Sequence, residues 1–187
     1  MWNILFISSG NDDKGLSELI GTTGDAVVRL TSANQARQRL HEGDDFDLIV
    51  INAPLQDEFG DELALTAVEN TMAGVMLAVN AAQEDEIESH VGEYGVVVIG
   101  KPVHYQTFYQ AYKLLTAMYK RMQYLKNEND KLKRKMEELK LISRAKCVLI
   151  QEMHMNENEA HRYIEKEAMD FRKSKKDVAE KILRLFG

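Results

Sequence analysis

DLIVINAPLQDEFG, residues 47–60, holds an unbroken apolar run, Leu48–Ile51, that stops at Asn52 and gives way to turn residues. Aliphatic residues without an intervening charge suit a strand covered on both faces, as in a parallel sheet. Four further runs flank it: Ile4–Ile7, Ala26–Leu30, Val75–Val79 and Val96–Ile99. Helix-like segments separate most of them. Ser32–Glu42 opens on an N-cap serine, and residues 84–93 place Ile87 and Val91 one turn apart. Strands alternating with helices make βαβ units, so the expected fold is α/β, a doubly wound five-stranded parallel sheet. Sites in such folds gather at the carboxyl ends of the strands. Those ends are Ser8-Ser9, Asn52, Val79-Asn80 and Lys101-Pro102.

DLIVINAPLQDEFG together with VVVIGKP (Val96–Pro102) resembles the receiver domain of two-component response regulators. The resemblance implies an acidic pair after the first strand that holds Mg²⁺. It also implies a phospho-acceptor aspartate ending the third strand, a Thr or Ser ending the fourth and a Lys-Pro ending the fifth. Here Ser8-Ser9 stand for the acidic pair and Asn52 for the acceptor. Val79 or Asn80 falls at the fourth-strand position, and Lys101-Pro102 is kept. A hard cation wants carboxylate oxygens, which two serines do not supply. An amide is not a nucleophile for phosphoryl transfer. The expectation is a degenerate receiver without metal or acceptor. Asp12 and Asp13 are a weaker alternative, a displaced acidic pair set against a solvated loop. Lys101 is read as structural or as a hydrogen-bonding partner of Asn52, and Lys-Pro can simply turn the chain, through a cis bond among other ways.

Charge divides the chain. Residues 1–110 carry 5 Lys or Arg and 18 Asp or Glu, a net −13, while residues 111–187 carry 19 and 12, a net +7; together they give the overall −6. An acidic domain joined to one that binds a polyanion is the reading. Apolar residues make up 44% of the sequence, enough for a core, and no apolar stretch is long enough for a membrane span. The N-terminal MWNILFISSG reads as a first strand rather than a signal peptide. One cysteine, Cys147, gives no internal disulfide, so a cytoplasmic setting is expected.

Beyond Phe108 the period changes. No Gly or Pro lies between Val103 and Phe186. Phe108, Leu115, Met122, Asn129 and Met136 take heptad position a; Ala111, Met118, Leu125, Leu132 and Leu139 take d. Such a seam predicts a coiled coil, and one Asn at a favours a two-stranded assembly in fixed register. The first heptads are expected to pack on the sheet domain as well. A long helix folding back on its own domain is the alternative. The seam fails at Ser143 and Lys146. Two helix starts follow, Asn156 with Glu159 and Ser174 with Asp177, each a capping-box pattern. They predict segments at Leu141–Met153, Glu157–Lys173 and Lys175–Phe186, closed by Val148, Ile164, Ala168, Val178, Ala179, Ile182 and Leu183.

Ile142–Leu183 resembles the ANTAR domain of bacterial transcription antiterminators. Ala145-Lys146 with Leu149, Glu159-Ala160, Ala168-Met169 and Val178-Ala179 carry the likeness. Cys147 stands where the family usually has Gly, and a partly buried, inert thiol is expected. The expected domains are 1–106 (receiver-like), 107–141 (coiled coil) and 142–187 (three-helix RNA-binding). The resemblance implies a dimer that binds hairpins in leader RNA and keeps a terminator from forming. Arg144, Lys146, Arg172, Lys173, Lys175 and Lys176 are the candidate RNA contacts. Ser174 is either a cap or a phosphate contact. Tyr163 fits the core better than a base stack, and His154 and His161 read as exposed helix-end residues. No enzyme, cofactor, metal or membrane role is expected. Control would come from a partner protein or small ligand on the receiver-like domain. A DNA-binding response regulator and a protein adaptor are the competing readings.

Overall fold

The computed structural model describes residues 1–10 and 14–186, and the chain divides into two compact units, Met1–Tyr124 and the residues from Leu125 on. The first unit contains β1 (Asn3–Ser8), α1 (Lys14–Gly21), β2 (Ala26–Leu30), α2 (Ala33–His41), β3 (Leu48–Asn52), α3 (Asp61–Asn70), β4 (Gly74–Asn80), α4 (Glu84–Val91) and β5 (Val96–Lys101). The five strands form one parallel sheet in the order β2-β1-β3-β4-β5. The order reverses direction between β1 and β3, which opens a crevice at the carboxyl ends of those strands.

Alternate side chains serve opposite faces of each strand. Leu5, Ile7, Ile49, Ile51 and Leu77 pack with Leu63, Ala64 and Ala67 of α3 and with Ala33 and Ala36 of α2. Ile4, Phe6, Leu48, Val50 and Met76 pack the other way, with Leu16 and Ile20 of α1. β1 and β3 are buried along almost their whole length, but β2 is half exposed. Not all five runs are covered on both faces as expected: β2, at one edge of the sheet, has no fully buried residue.

α5 is one helix of 49 residues, Tyr105–Met153. In the first unit its residues Phe108, Ala111 and Leu115 complete the second face of the sheet. Gly74 lets it approach, since a Cβ there would lie 2.9 Å from Leu115 Cβ. The Tyr112 hydroxyl donates to Asp25 Oδ2 at 2.6 Å, and Tyr119 meets Trp2 edge-on at 5.5 Å. The first heptads thus pack on the sheet domain as expected, and Leu115, which its heptad position also placed in the dimer seam, is 1% exposed in the core of its own unit. The exposed part of the seam begins at Met118.

The second unit is built from the later part of α5 with α6 (Glu157–Asp170) and α7 (Lys175–Phe186). Its core is Ala145, Leu149, Ala160, Ile164, Ala168, Val178, Ala179 and Ile182. Four of the eight, Ala145, Leu149, Ala160 and Ala179, have no exposed surface, and the three alanines, with small side chains, allow close helix approach. The first of the three expected helices is not a separate element. Where the seam fails at Ser143, the buried face changes but the helix does not, because nothing there breaks it. It ends at His154, whose φ is 56°. Asn156 then starts α6 with a complete capping box to Glu159. α6 ends at Asp170, three residues before the expected Lys173, because Arg172 adopts φ 50° and the Lys173 N–H returns to the Ala168 carbonyl at 2.9 Å.

Candidate regulatory site and nucleic-acid interface

Register brings the ends of β1, β3, β4 and β5 together. Ser8 pairs with Asn52 across the first two, and Asn80 with Lys101 across the last two. Ser8 and Asn52 are 4% and 3% exposed. The Asn52 side-chain amide donates to Ser8 Oγ at 3.1 Å, while its oxygen accepts from Lys101 Nζ at 3.0 Å. Lys101 also donates to the Ala53 carbonyl. The result is a directional chain, ammonium to amide to hydroxyl, and the neutral amide uses both its acceptor and its donor. An amide can do this at position 52 where a carboxylate cannot. A carboxylate would accept from both sides and could donate to neither.

A depression of about 670 Å³ lies over this chain, lined among others by Ser9, Asn52, Phe59, Asn80, Gln83 and Lys101. Of the two fourth-strand candidates, Val79 is fully buried and Asn80 faces the depression, its Oδ1 accepting from the Ala82 N–H at 3.0 Å. The Ala53–Pro54 and Lys101–Pro102 bonds that border it are both cis. The loop after β3 is fastened to α2. Asp57 accepts the Ala33 and Asn34 N–H groups at 2.8 and 2.9 Å, and Glu58 takes two hydrogen bonds from Arg37 at 2.6 and 3.0 Å. Desolvation alone would raise the Asp57 carboxyl; the two N–H donors and Arg37 outweigh it and hold it below its ordinary value. Among the described residues no three His, Cys, Asp or Glu are grouped to hold a metal. Asp12 and Asp13 lie outside the described residues.

In the second unit the candidate cations do not converge on one spot. Lys146 is partly buried, and its ammonium sits 2.8 Å from Glu157 at the start of α6. Arg172, Lys173, Ser174, Lys175 and Lys176 lie at the other end, in the turn into α7. Thirteen residue steps along α6 (Glu157–Asp170) put about 20 Å between Glu157 and the α6–α7 turn at 1.5 Å per residue, although the Lys175 ammonium reaches back to Glu165. Arg144, Arg172 and Lys173 are exposed. Lys175 pairs with Glu165 at 2.6 Å, and Lys176 approaches Glu180 only to 3.9 Å. The lysine hydrogen bonds to Glu157 and Glu165 hold both carboxyls below their ordinary values. Ser174 is a cap: its Oγ accepts the Asp177 N–H at 3.1 Å and donates to Asp177 Oδ2 at 2.7 Å.

Tyr163 packs against the three-helix core, and His154 and His161 are exposed. Cys147 is exposed, not partly buried. It points away from the Ala145–Leu149 face, since two residues on from Ala145 a helix has turned about 200°. Phe171, which no sequence pattern singles out, stands 60% exposed among the cations of the α6–α7 turn. Its burial, not its type, marks it, and burial is not written in the sequence.

The model of the ANTAR domain matches residues 130–183. The chain carries an ANTAR domain at residues 130–183, preceded by a receiver-like domain. Its ANTAR match begins upstream of Ile142, within α5, so it takes in part of the seam as well as the three-helix core. Transcriptional regulatory protein PdtaR of Mycobacterium tuberculosis is similar to it, 25% identical over 172 residues that cover 92% of this chain and 84% of PdtaR. The receiver-like fold has solved counterparts. A CheY-like response regulator receiver domain from Methanospirillum hungatei is 18% identical with a TM-score of 0.57, covering 65% of this chain and 98% of that one. A two-component response regulator from Clostridium difficile is 20% identical with a TM-score of 0.54, covering 65% and 98%. Both likenesses speak to the fold. Among the described residues no helix is long and apolar enough to cross a membrane.

Proposed function

We propose that this ANTAR protein is a dimeric transcription antiterminator that binds hairpins in leader RNA. The observation that carries the reading is the ANTAR match on a small helical unit whose α6–α7 turn exposes Arg172 and Lys173 beside a capped helix start. Hairpins offer closely spaced phosphates and unstacked loop bases, which suit such a turn. PdtaR, a transcriptional regulatory protein by name, supports a regulatory role along most of the chain.

Dimerisation would use the exposed seam of α5. Met118, Met122, Leu125, Leu132, Met136 and Leu139 are 46–66% exposed, a row of large apolar residues that water disfavours. Asn129 would fix the register. The first unit would act as a receiver that is read without phosphorylation, through a partner protein or small ligand at the depression over Asn52 and Lys101. The test is binding of the full chain to leader RNA hairpins and to duplex DNA across a salt series. Preference for hairpins, weakening with salt, is expected. Equal affinity for random duplex DNA overturns the RNA reading in favour of a DNA-binding regulator.

A further inference from the structure

We propose that Phe171 is a stacking platform for an unpaired base, held in place by the α6–α7 turn. The inference rests on the RNA-binding reading and names how that site would grip a loop rather than a stem. Phe171 is the C-cap residue of α6 and is 60% exposed. A large ring left in water has to be held there by its backbone, and here the backbone is fixed on both sides. The Phe171 N–H returns to the Glu167 carbonyl at 3.1 Å and the Arg172 N–H to the Met169 carbonyl at 3.2 Å. On the far side, Ser174 and Asp177 cap α7 reciprocally. The ring is therefore presented at low further entropic cost.

The surroundings select the occupant. Lys181 places its ammonium 5.5 Å from the ring centroid, on one face of the phenyl group. Arg172 and Lys173 follow it directly and are exposed. A protein partner covering Phe171 would have to bury these cations too, and interface cores are depleted in lysine. A nucleic acid brings its own phosphates to them. Bases in a paired stem are already stacked, whereas loop bases can be splayed onto an aromatic face. Single-strand binders use the same combination of ring and cations, with stacking tolerant of base identity. Phe171 would thus supply the loop contact, and Arg172 and Lys173 the backbone contact.

The test uses the full chain and a pool of RNA stem-loops with a fixed stem and randomised loop, beside the same stem closed as a plain duplex. Stacking is worth roughly 5- to 150-fold in affinity for each base. Phe171→Ala should lose an amount in that range on the stem-loops and almost nothing on the duplex. Phe171→Tyr, which keeps the ring, should bind like the unaltered protein. The slope of log affinity against log salt should stay unchanged in Phe171→Ala and become shallower in Lys173→Ala, because only the second removes a phosphate contact. Because the side chain is exposed, the helical circular dichroism of both Phe171 variants should match the parent. If the parent prefers stem-loops and Phe171→Ala binds them equally well, the stacking role is overturned and the RNA reading stands. An equal loss on stem-loop and duplex also overturns it. If the parent itself shows no preference for stem-loops, both fall.

Discussion

Lys101 donates a hydrogen bond of 3.0 Å to the side-chain oxygen of Asn52, which in turn donates to Ser8. The end of β3 is thus occupied by a neutral residue satisfied in both directions. Incubation with acetyl phosphate and Mg²⁺ should leave the intact mass of the protein unchanged, since position 52 offers an amide and positions 8 and 9 offer no carboxylate. A phosphoryl adduct on the first unit would refute this. Asn52→Ala should destabilise the unit by about 1–3 kcal/mol in urea unfolding, because buried Ser8 loses a partner and half-buried Lys101 loses one of its acceptors.

Tyr112 and Asp25 form one pH-sensitive pair of the first unit. Burial pushes the Asp25 carboxyl up, but hydrogen bonds from the Trp2 N–H, the Tyr112 hydroxyl and Thr23 more than offset this, and its value is lowered. Burial and then Asp25 push the Tyr112 phenol upward. A lowered carboxyl stabilises the fold above its unfolded value, and that contribution fades as pH drops below roughly 3.9. A raised phenol stabilises below its unfolded value, and its share fades as pH climbs past roughly 10. Tyr112→Phe should cost about 1 kcal/mol at neutral pH and flatten both slopes in urea titrations. Unchanged slopes would show that the pair does not couple to folding.

Arg172 carries a left-handed backbone with φ 50°, where glycine is the unstrained choice. Arg172→Gly should stabilise the second unit by about 0.5–1 kcal/mol in thermal unfolding while weakening RNA binding and flattening its salt dependence. Loss of stability together with loss of binding would mean the guanidinium is structural.

Leu132 is 66% exposed on α5. Leu132→Glu should leave the helix content of the isolated chain intact and shift sedimentation from dimer to monomer, because like charges would meet across the seam. A monomer in the unaltered protein, or a dimer in the variant, would refute the seam as the interface.

Much of the fold was legible because it rests on local patterns. Apolar runs spaced by helical segments fixed five strands and their parallel sense. Asn156 with Glu159 and Ser174 with Asp177 marked the starts of α6 and α7, and both caps form. The positions Ser8, Asn52 and Lys101 were legible as strand ends. Their hydrogen-bond directions were not, since these depend on register across β1, β3 and β5. β2 carries nearly the same apolar pattern as its neighbours yet lies at an edge, because strand order is set by crossover connections rather than by composition.

By itself the sequence determined the chemistry that is absent at position 52, the acidic and basic halves, and the helix starts, since each depends on residue type or on neighbours a few positions away. The tertiary structure alone decided that the first core takes in Leu115 but leaves Met118 of the same seam exposed, that Lys146 pairs with Glu157 at the end of α6 remote from the basic turn, and that Phe171 faces solvent. Burial and distance between remote residues follow from how elements pack, and a periodic pattern names a face without naming what covers it.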